Sequence, residues 1–518
     1  MSHPAIGIDL GTTYSGLAAI NPAGKPEIIP NATGERITAS AVFFEQDGPI
    51  HIGQLAADAA GAYPDRVVQW IKRQMGDPDW RFRIDGNCYT AVDISALILK
   101  KIKKDAEIVL GPLRHSVITV PAYFDEVRRK ATMDAAKKAG LEVLRIINEP
   151  TAAALAYAFT GQANGTVLVY DFGGGTFDVS VVEIADPKTI AVLASEGDHQ
   201  LGGHDLDKLL ASHFAELFNA EKGVPLLDGA DEAIRHRVIA EAERTKRTLS
   251  SMPKREGIAL NWGNHWINAS VSRDKFEQLI ADYLVRTEML VEDALSQSGK
   301  TTSDITGVIM VGGSTRIPSV RKLLQEKFGQ PPLKTINPDE AVALGAALQA
   351  GILMEEKGLS NLPSKASQSL RSLSLRDVTN HSYGTLAVGE SYGREALRNS
   401  IIIPKNTPIP CSRTESFLTR FKGQTEIDCS ITQGEGDDPD FVNTISNGSL
   451  ELPPDRPAGC EIRVTYSYDA NQRMSCEFLD VDSGRRKQLD LDVAQRSQHS
   501  KRNKVEIDEA DLEDLVIE

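Results

Sequence analysis

Residues 6–15 read Ile6-Gly7-Ile8-Asp9-Leu10-Gly11-Thr12-Thr13-Tyr14-Ser15, and residues 168–176 read Leu168-Val169-Tyr170-Asp171-Phe172-Gly173-Gly174-Gly175-Thr176. Both are an apolar strand, an aspartate at its end, and a turn of glycine and threonine. The aspartates Asp9 and Asp171 lie 162 positions apart. Turns with so little side-chain bulk let backbone N–H groups approach an anion closely. Two such hairpins facing each other can grip a nucleotide's phosphates from both sides and leave the aspartates to hold a hydrated Mg²⁺. Taken singly, each hairpin reads equally well as a tight turn, because Asp and Gly are ordinary turn residues. The pairing carries the functional reading. Neither a GxxxxGK[ST] loop nor a strand-GxGxxG-helix fingerprint is present.

The chain has 518 residues, 41% hydrophobic and 25% charged, which predicts two to four domains of a globular protein. No apolar stretch is long enough to span a membrane, and the N-terminus enters a strand without a basic or apolar leader. The five cysteines, Cys88, Cys411, Cys429, Cys460 and Cys476, have no CxxC spacing. A disulfide framework or zinc site is therefore not expected, and a cytoplasmic location is. A net charge of −15 argues against general nucleic-acid binding.

Residues 1–356 alternate strand and helix signals, the pattern of an α/β domain. The spacing predicts a helix over 125–140 ending at Gly140, a strand over 144–150, a small-residue helix from Thr151, and a strand-loop-helix over 307–329 with Pro318 in the first helical turn. Serine becomes frequent and periodicity fades over 357–381, which reads as an interdomain linker. Over 382–490 apolar residues alternate with period two, as at Ile427, Cys429 and Ile431 and at Ile462, Val464, Tyr466 and Tyr468. With turn signals at Asn447-Gly448 and Asp482-Ser483-Gly484, this predicts an antiparallel β-sandwich. The stretch 491–518 reads as an acidic tail.

The N-terminal motifs together resemble the actin-like ATPase superfamily, and within it the seventy-kilodalton heat-shock chaperones (DnaK-type). IGIDLGTTYS, TVPAYF, INEPTAAALAYA, YDFGGGTFDVS, LGGHDLD, ERTKRTLSS, VGGSTRIP and INPDEAVALGAA stand in that family's order. The likeness is dense over about residues 4–355 and weaker to about 490. It implies a duplicated actin-like ATPase domain followed by an antiparallel β-sandwich that binds peptide, with ATP/ADP and Mg²⁺ as ligands.

The resemblance implies these roles. Asp9 and Asp171 hold Mg²⁺, largely through water. Gly11, Thr12, Thr13, Tyr14, Gly173, Gly174 and Gly175 cradle phosphates, with Gly202 and Gly203 as a further phosphate-side turn. Lys72 neutralises the γ-phosphate and helps place the attacking water, which Glu149 and Thr176 orient, with Asp178 completing the second loop. Glu243, Lys246, Arg247 and Ser250 fall at i, i+3, i+4 and i+7, one face of a helix. By spacing alone that is a solvated mixed-charge face; by resemblance it holds ribose and adenine. Gly312, Gly313, Ser314, Arg316 and Asp339 form the opposite wall. Arg129, Leu373, Leu375 and Asp377 are the interdomain-coupling positions. Thr385, Val388, Phe417, Ile427 and Cys429 line the peptide cleft, although ordinary sandwich core is an equal reading for Phe417 and Ile427.

The chain also departs from the family pattern. His204 stands where glutamate is usual. Ser374 and Arg376 interrupt the apolar linker, and no proline follows Thr379. Arg420 replaces a small or apolar residue that arches over the peptide. Too few residues follow the sandwich for the family's helical lid, so a short, lidless, divergent bacterial-looking member is expected. The function implied is an ATP-dependent chaperone, monomeric, acting on unfolded polypeptide with a J-domain co-chaperone and a nucleotide exchange factor, without nucleic acid or membrane. The alternative is an ATP-switched regulatory or scaffold protein with a dedicated client, or an exchange factor for another chaperone. A small-molecule kinase is disfavoured, since no catalytic aspartate for a sugar hydroxyl is found.

Overall fold

Ile6 and Ile8 are buried in the strand Ile6–Asp9, with buried Leu10 just past its end, and the strand runs antiparallel to Tyr14–Ile20 with Asp9 opposite Gly16. In the computed structural model, the described residues are 4–161, 164–186, 189–227, 232–334, 336–360, 362–371, 373–391, 394–469, 474–490, 515 and 517. They form two units: residues 1–123, 131–375 and 507–518 make the first, and 124–130 with 376–506 the second.

The first unit contains the same sheet twice. In one sheet the order is Glu142–Asn148, His115–Val120, Ile6–Asp9, Tyr14–Ile20, Pro26–Ile28. In the other it is Ile305–Val311, Gly165–Phe172, Phe177–Asp186, Thr189–Asp198, with Ser374–Arg376 at the far edge. Each is a three-stranded antiparallel meander whose first strand takes a parallel neighbour on its other side. The strand that ends at Asp9 corresponds to the one that carries Asp171. This is a duplicated α/β architecture, and it places the two Gly/Thr turns at equivalent sheet positions.

Two helices run between the halves. Glu149–Phe159 leaves the first sheet and leads toward the second, with Pro150 in its first turn. Ala341–Glu356 returns and is apolar all round, as a helix buried on every side must be. It packs so closely that a Cβ on Gly7 would stand 2.0 Å from Ala347 N, and one on Gly345 would stand 1.7 Å from Ala152 O. Behind the second sheet lies an apolar core that includes Tyr170, Phe172, Phe177, Phe214 and Phe218, all fully buried. The helix Ala91–Leu110 starts with a capping box between Thr90 and Asp93.

The second unit holds two four-stranded sheets. One is ordered Arg394–Ile403, Tyr383–Ser391, Glu426–Gln433, Asn443–Glu451; the other Cys411–Leu418, Glu461–Tyr468, Met474–Asp480, Arg486–Asp490. All pairings are antiparallel. Tyr383, Ile431, Val464, Tyr466 and Phe478 pack in the core, and the Tyr466 hydroxyl donates to the carbonyls of Gly384 (2.7 Å) and Ser430 (3.1 Å).

Three stretches differ from the sequence expectation. Asn447-Gly448 is not a turn but the middle of the strand Asn443–Glu451. Gly448 lies opposite Cys429, and a Cβ there would meet the Leu489 side chain at 2.9 Å, so glycine serves packing. Within the serine-rich 357–381, Ser364–Arg371 is a helix with Ala366 and Leu370 buried, and Ser374–Arg376 is the edge strand already noted. In the expected tail, Ile517 is buried, bridges Ile50 in parallel, and accepts a hydrogen bond from Lys104 Nζ at 2.8 Å. Residues 491–514 of that stretch lie outside the described residues. Among the described residues no helix is long and apolar enough to cross a membrane, and all five cysteines are unpaired thiols.

Candidate functional site

The two hairpin turns meet tip to tip. A Cβ on Gly174 would fall 2.0 Å from Thr13 Oγ1, and one on Gly175 would fall 2.5 Å from the Thr12 side chain. Gly202 closes in on Gly175 at 2.5 Å by the same measure. His204 N donates to Gly174 O (2.8 Å) and Gly203 N to Gly173 O (3.0 Å). Gly11, Thr12, Thr13 and Gly173–Gly175 therefore stand together, with Gly202-Gly203 against the second turn. Thr176 is buried and its carbonyl accepts from Gly173 N.

Four charged side chains converge beside these turns. Lys72 and Glu149 are both buried, and Lys72 Nζ donates to Glu149 Oε1 at 2.5 Å. Asp9 accepts from Thr119 Oγ1 at 3.3 Å. Burial first, and then the Glu149 carboxylate, push the Asp9 pKa up to about 7, with Lys72 acting the other way. Asp171 is driven well above the usual carboxylate range by burial, then by Glu149, Asp178 and Asp9. Asp178 pairs in register with Asp171 and accepts from Tyr123 N at 3.1 Å. The cluster gathers more buried carboxyl groups than Lys72 can neutralise as carboxylates, and its donors are all oxygen. That is the chemistry of a hard divalent cation such as Mg²⁺. Among the described residues no three His, Cys, Asp or Glu side chains converge closely enough to hold an ion by themselves. The donor set therefore fits an ion that keeps much of its own water.

The residues that the resemblance assigns to ribose and adenine stand next to the second turn. Lys246 Nζ donates to Gly203 O (2.8 Å) and pairs with Asp207. Ser314 Oγ donates to Gly173 O (2.9 Å), and a Cβ on Gly203 would sit between Ser314 and Lys246. Arg247 donates to Glu243 Oε1 (2.7 Å) and to the Tyr14 hydroxyl (2.6 Å), with its guanidinium 5.1 Å from the Tyr14 ring centre. Ser250 lies a turn further on and donates to Lys246 O. Gly312 has φ +81 and leaves no room for a side chain beside Phe172 O. Gly313 borders Asp339, which pairs with Arg316 at 2.5 Å.

The neighbouring turn contributes residues that the sequence did not single out. Arg73 donates to Gly175 O at 2.8 and 3.1 Å and forks onto the Asp205 carboxylate. Asp205 in turn accepts from Gly202 N at 3.0 Å. The Trp70 and His204 rings stack with centres 4.0 Å apart, and His236 stacks 6.1 Å from Trp70. Burial, and next the cations Lys208 and Arg73, lower the His204 pKa to about 3, so the ring is neutral. The only sequence signal for these contacts was adjacency to Lys72 and the unusual histidine.

Of the coupling positions, Leu373 is buried and Leu375 half-buried in the strand Ser374–Arg376. Arg129 is buried and donates to Phe124 O at 3.1 Å; Asp377 Oδ1 accepts from Val378 N at 2.9 Å. The five peptide-site positions do not share one surface. Thr385 and Val388 are three apart on one strand and project to opposite faces. Thr385 is buried with its hydroxyl 3.3 Å from Ser430 Oγ, whereas Val388 is 40% exposed. Cys429 lies in the sandwich core, its thiol pKa pushed up to about 12 by burial, and Phe417 and Ile427 pack half-buried on that core. Val388 is instead paired in register with exposed Leu397. Glu395, on the same face two residues away, forms an ion pair with Arg420 at 2.5 Å.

The family model described as Hsp70 protein matches residues 5–82 and 76–514 of the chain. The chain is 40% identical over 495 residues to a protein named Chaperone protein DnaK from Thermotoga neapolitana, covering 93% of this chain and 79% of that one. The protein of the same name from Thermotoga petrophila matches to the same extent, 40% over 495 residues.

Proposed function

Because the chain belongs to the Hsp70 protein family, we propose that it is a chaperone that binds ATP with Mg²⁺ in the first unit, hydrolyses it, and uses the second unit to hold extended apolar segments of unfolded polypeptide. The observation that carries the reading is the convergence of Lys72, Glu149, Asp9 and Asp171 beside two facing Gly/Thr turns. Phosphoryl transfer asks a protein mainly for positioning and charge stabilisation, and this cluster offers both. Asp9 and Asp171 would hold Mg²⁺ through water, and the ion would supply charge stabilisation at the phosphates. The turn backbones of Gly11–Thr13 and Gly173–Gly175 bind and orient the phosphates. Lys72 places positive charge at the terminal phosphate, and Glu149, held by it, orients water. Arg247, Ser314 and Arg316 give the base and ribose their walls.

The exposed face carrying Val388 and Leu397 offers apolar side-chain contacts to an extended peptide. A J-domain co-chaperone and a nucleotide exchange factor belong to this reading as partners. The Glu395–Arg420 ion pair beside that face favours a second reading, a chaperone kept for one client. Titration calorimetry with ATP and Mg²⁺, followed by peptide-array binding with and without ATP, tests both. Failure to bind ATP in Mg²⁺ overturns the proposal. Binding of many unrelated apolar peptides favours the general chaperone, and one retained sequence the dedicated one.

A further inference from the structure

Trp70 sits at φ +55, a left-handed conformation that is unfavourable for a bulky aromatic residue. It directly precedes the short turn Ile71–Gln74 that carries Lys72 and Arg73. A strained residue persists only where its surroundings hold it. Here its ring stacks on two histidines, with centres 4.0 Å from His204 and 6.1 Å from His236. His204 belongs to the first turn of the helix Gly203–Lys222, and His236 to the helix Glu232–Ser251. His204 is buried, and its Nδ1 has no hydrogen-bond partner among the described residues, while its ring face stacks on the indole.

Arg73 fastens the same turn a second time, through Gly175 O and the carboxylate of Asp205, the residue after His204. Lys72 lies between the two fastenings. Its ammonium meets Glu149 on the far side. Lysine has a long and flexible stem, so an isolated Lys72 would sample many positions. We infer that Trp70 and His204 form a positioning stack, which acts through the 70–73 turn to hold Lys72 against the second phosphate hairpin. The inference rests on the ATPase reading, in which Lys72 acts on the transferred phosphate. It assigns a role to the histidine that departs from the family pattern: its flat ring accepts the indole face, which a carboxylate could not do.

The test uses the full chain with three substitutions. Trp70→Gly removes the ring and relaxes the left-handed backbone, so the fold is kept while the stack is lost. Trp70→Phe keeps a ring. His204→Ala removes the other half without touching the strained residue. ATP affinity is measured by titration, hydrolysis by single turnover, and folding by thermal melting. A small misplacement of a catalytic group lowers rates by up to about a hundredfold. Trp70→Gly and His204→Ala are therefore expected to slow turnover at least about tenfold, while ATP affinity moves less than about threefold. Trp70→Phe is expected to restore most of the rate. A merely structural role predicts that Trp70→Gly, melting like the parent, turns over like the parent; a rate within about twofold of it overturns the inference. A parent chain that binds no ATP overturns the ATPase reading and this inference with it.

Discussion

Lys72 Nζ and Glu149 Oε1 stand 2.5 Å apart, and both side chains are buried. The pair joins a turn before the helix Ala91–Leu110 to the start of the helix Glu149–Phe159, and Glu149 also raises the pKa of Asp9 and of Asp171. One lysine therefore balances a carboxylate that presses on two others.

Substituting Lys72 by Ala is expected to slow single-turnover hydrolysis by about two to three orders of magnitude while nucleotide binding persists. A preorganised charge acts chiefly on the charge that develops in the transition state, at roughly 3–4 kcal/mol. Rapid-quench measurement of the phosphate burst checks this. An unchanged rate removes Lys72 from the chemistry.

The raised pKa of Asp9 gives stability a direction in pH. Between the unfolded value of 3.8 and the folded value of about 7, the folded chain keeps a proton that the unfolded chain has released. Stability of the nucleotide-free first unit therefore falls as pH rises through that window. Asp9→Asn removes the penalty and is expected to stabilise that unit at pH 8 by about 1–3 kcal/mol, with little difference at pH 4. Calorimetry of the full chain at the two pH values decides the sign.

In the second unit, Tyr466→Phe strips the hydroxyl from the Gly384 and Ser430 carbonyls inside the core. Leaving two buried acceptors without that donor costs about 1–3 kcal/mol. Urea unfolding followed by a probe in the sandwich is expected to show the midpoint shift without a change of slope.

The Glu395–Arg420 pair is exposed on both sides, so Arg420→Ala is expected to change stability by less than about 0.5 kcal/mol. Its effect belongs to peptide release, which should quicken in the variant and lose part of its dependence on salt. Stopped-flow release of a labelled apolar peptide at two ionic strengths measures it. Identical release and salt dependence in the variant would detach the pair from the peptide face.

The duplicated hairpins were legible in the sequence because strand, aspartate and turn are consecutive, and their chemistry is local. Helices such as Glu126–Lys138 and Pro318–Phe328 were legible from a glycine stop and a proline start. Arg73 and Trp70 were not, since their partners Asp205, Gly175 and His204 lie more than a hundred residues away. Asn447-Gly448 carries a strong turn signal, but pairing with Ser430 and Cys429 overrides it. The serine-rich 357–381 gave no periodic signal, and yet Ser367 and Arg371 are anchored on Glu355, a residue of the preceding helix. The peptide positions came from resemblance. The strand's two-residue period separates Thr385 from Val388 and brings in Leu397.

The bare crossing of Gly345 over Ala152 fixes how closely two helices of the first unit approach. Side chains that interlock must disengage before two helices can turn on each other, but here backbone rests on backbone. Each helix joins one half of the duplicated unit to the other, so their separation at this point bears on the separation of the two halves. A methyl group at residue 345 would fall 1.7 Å from Ala152 O, so Gly345→Ala would have to force the two helices apart.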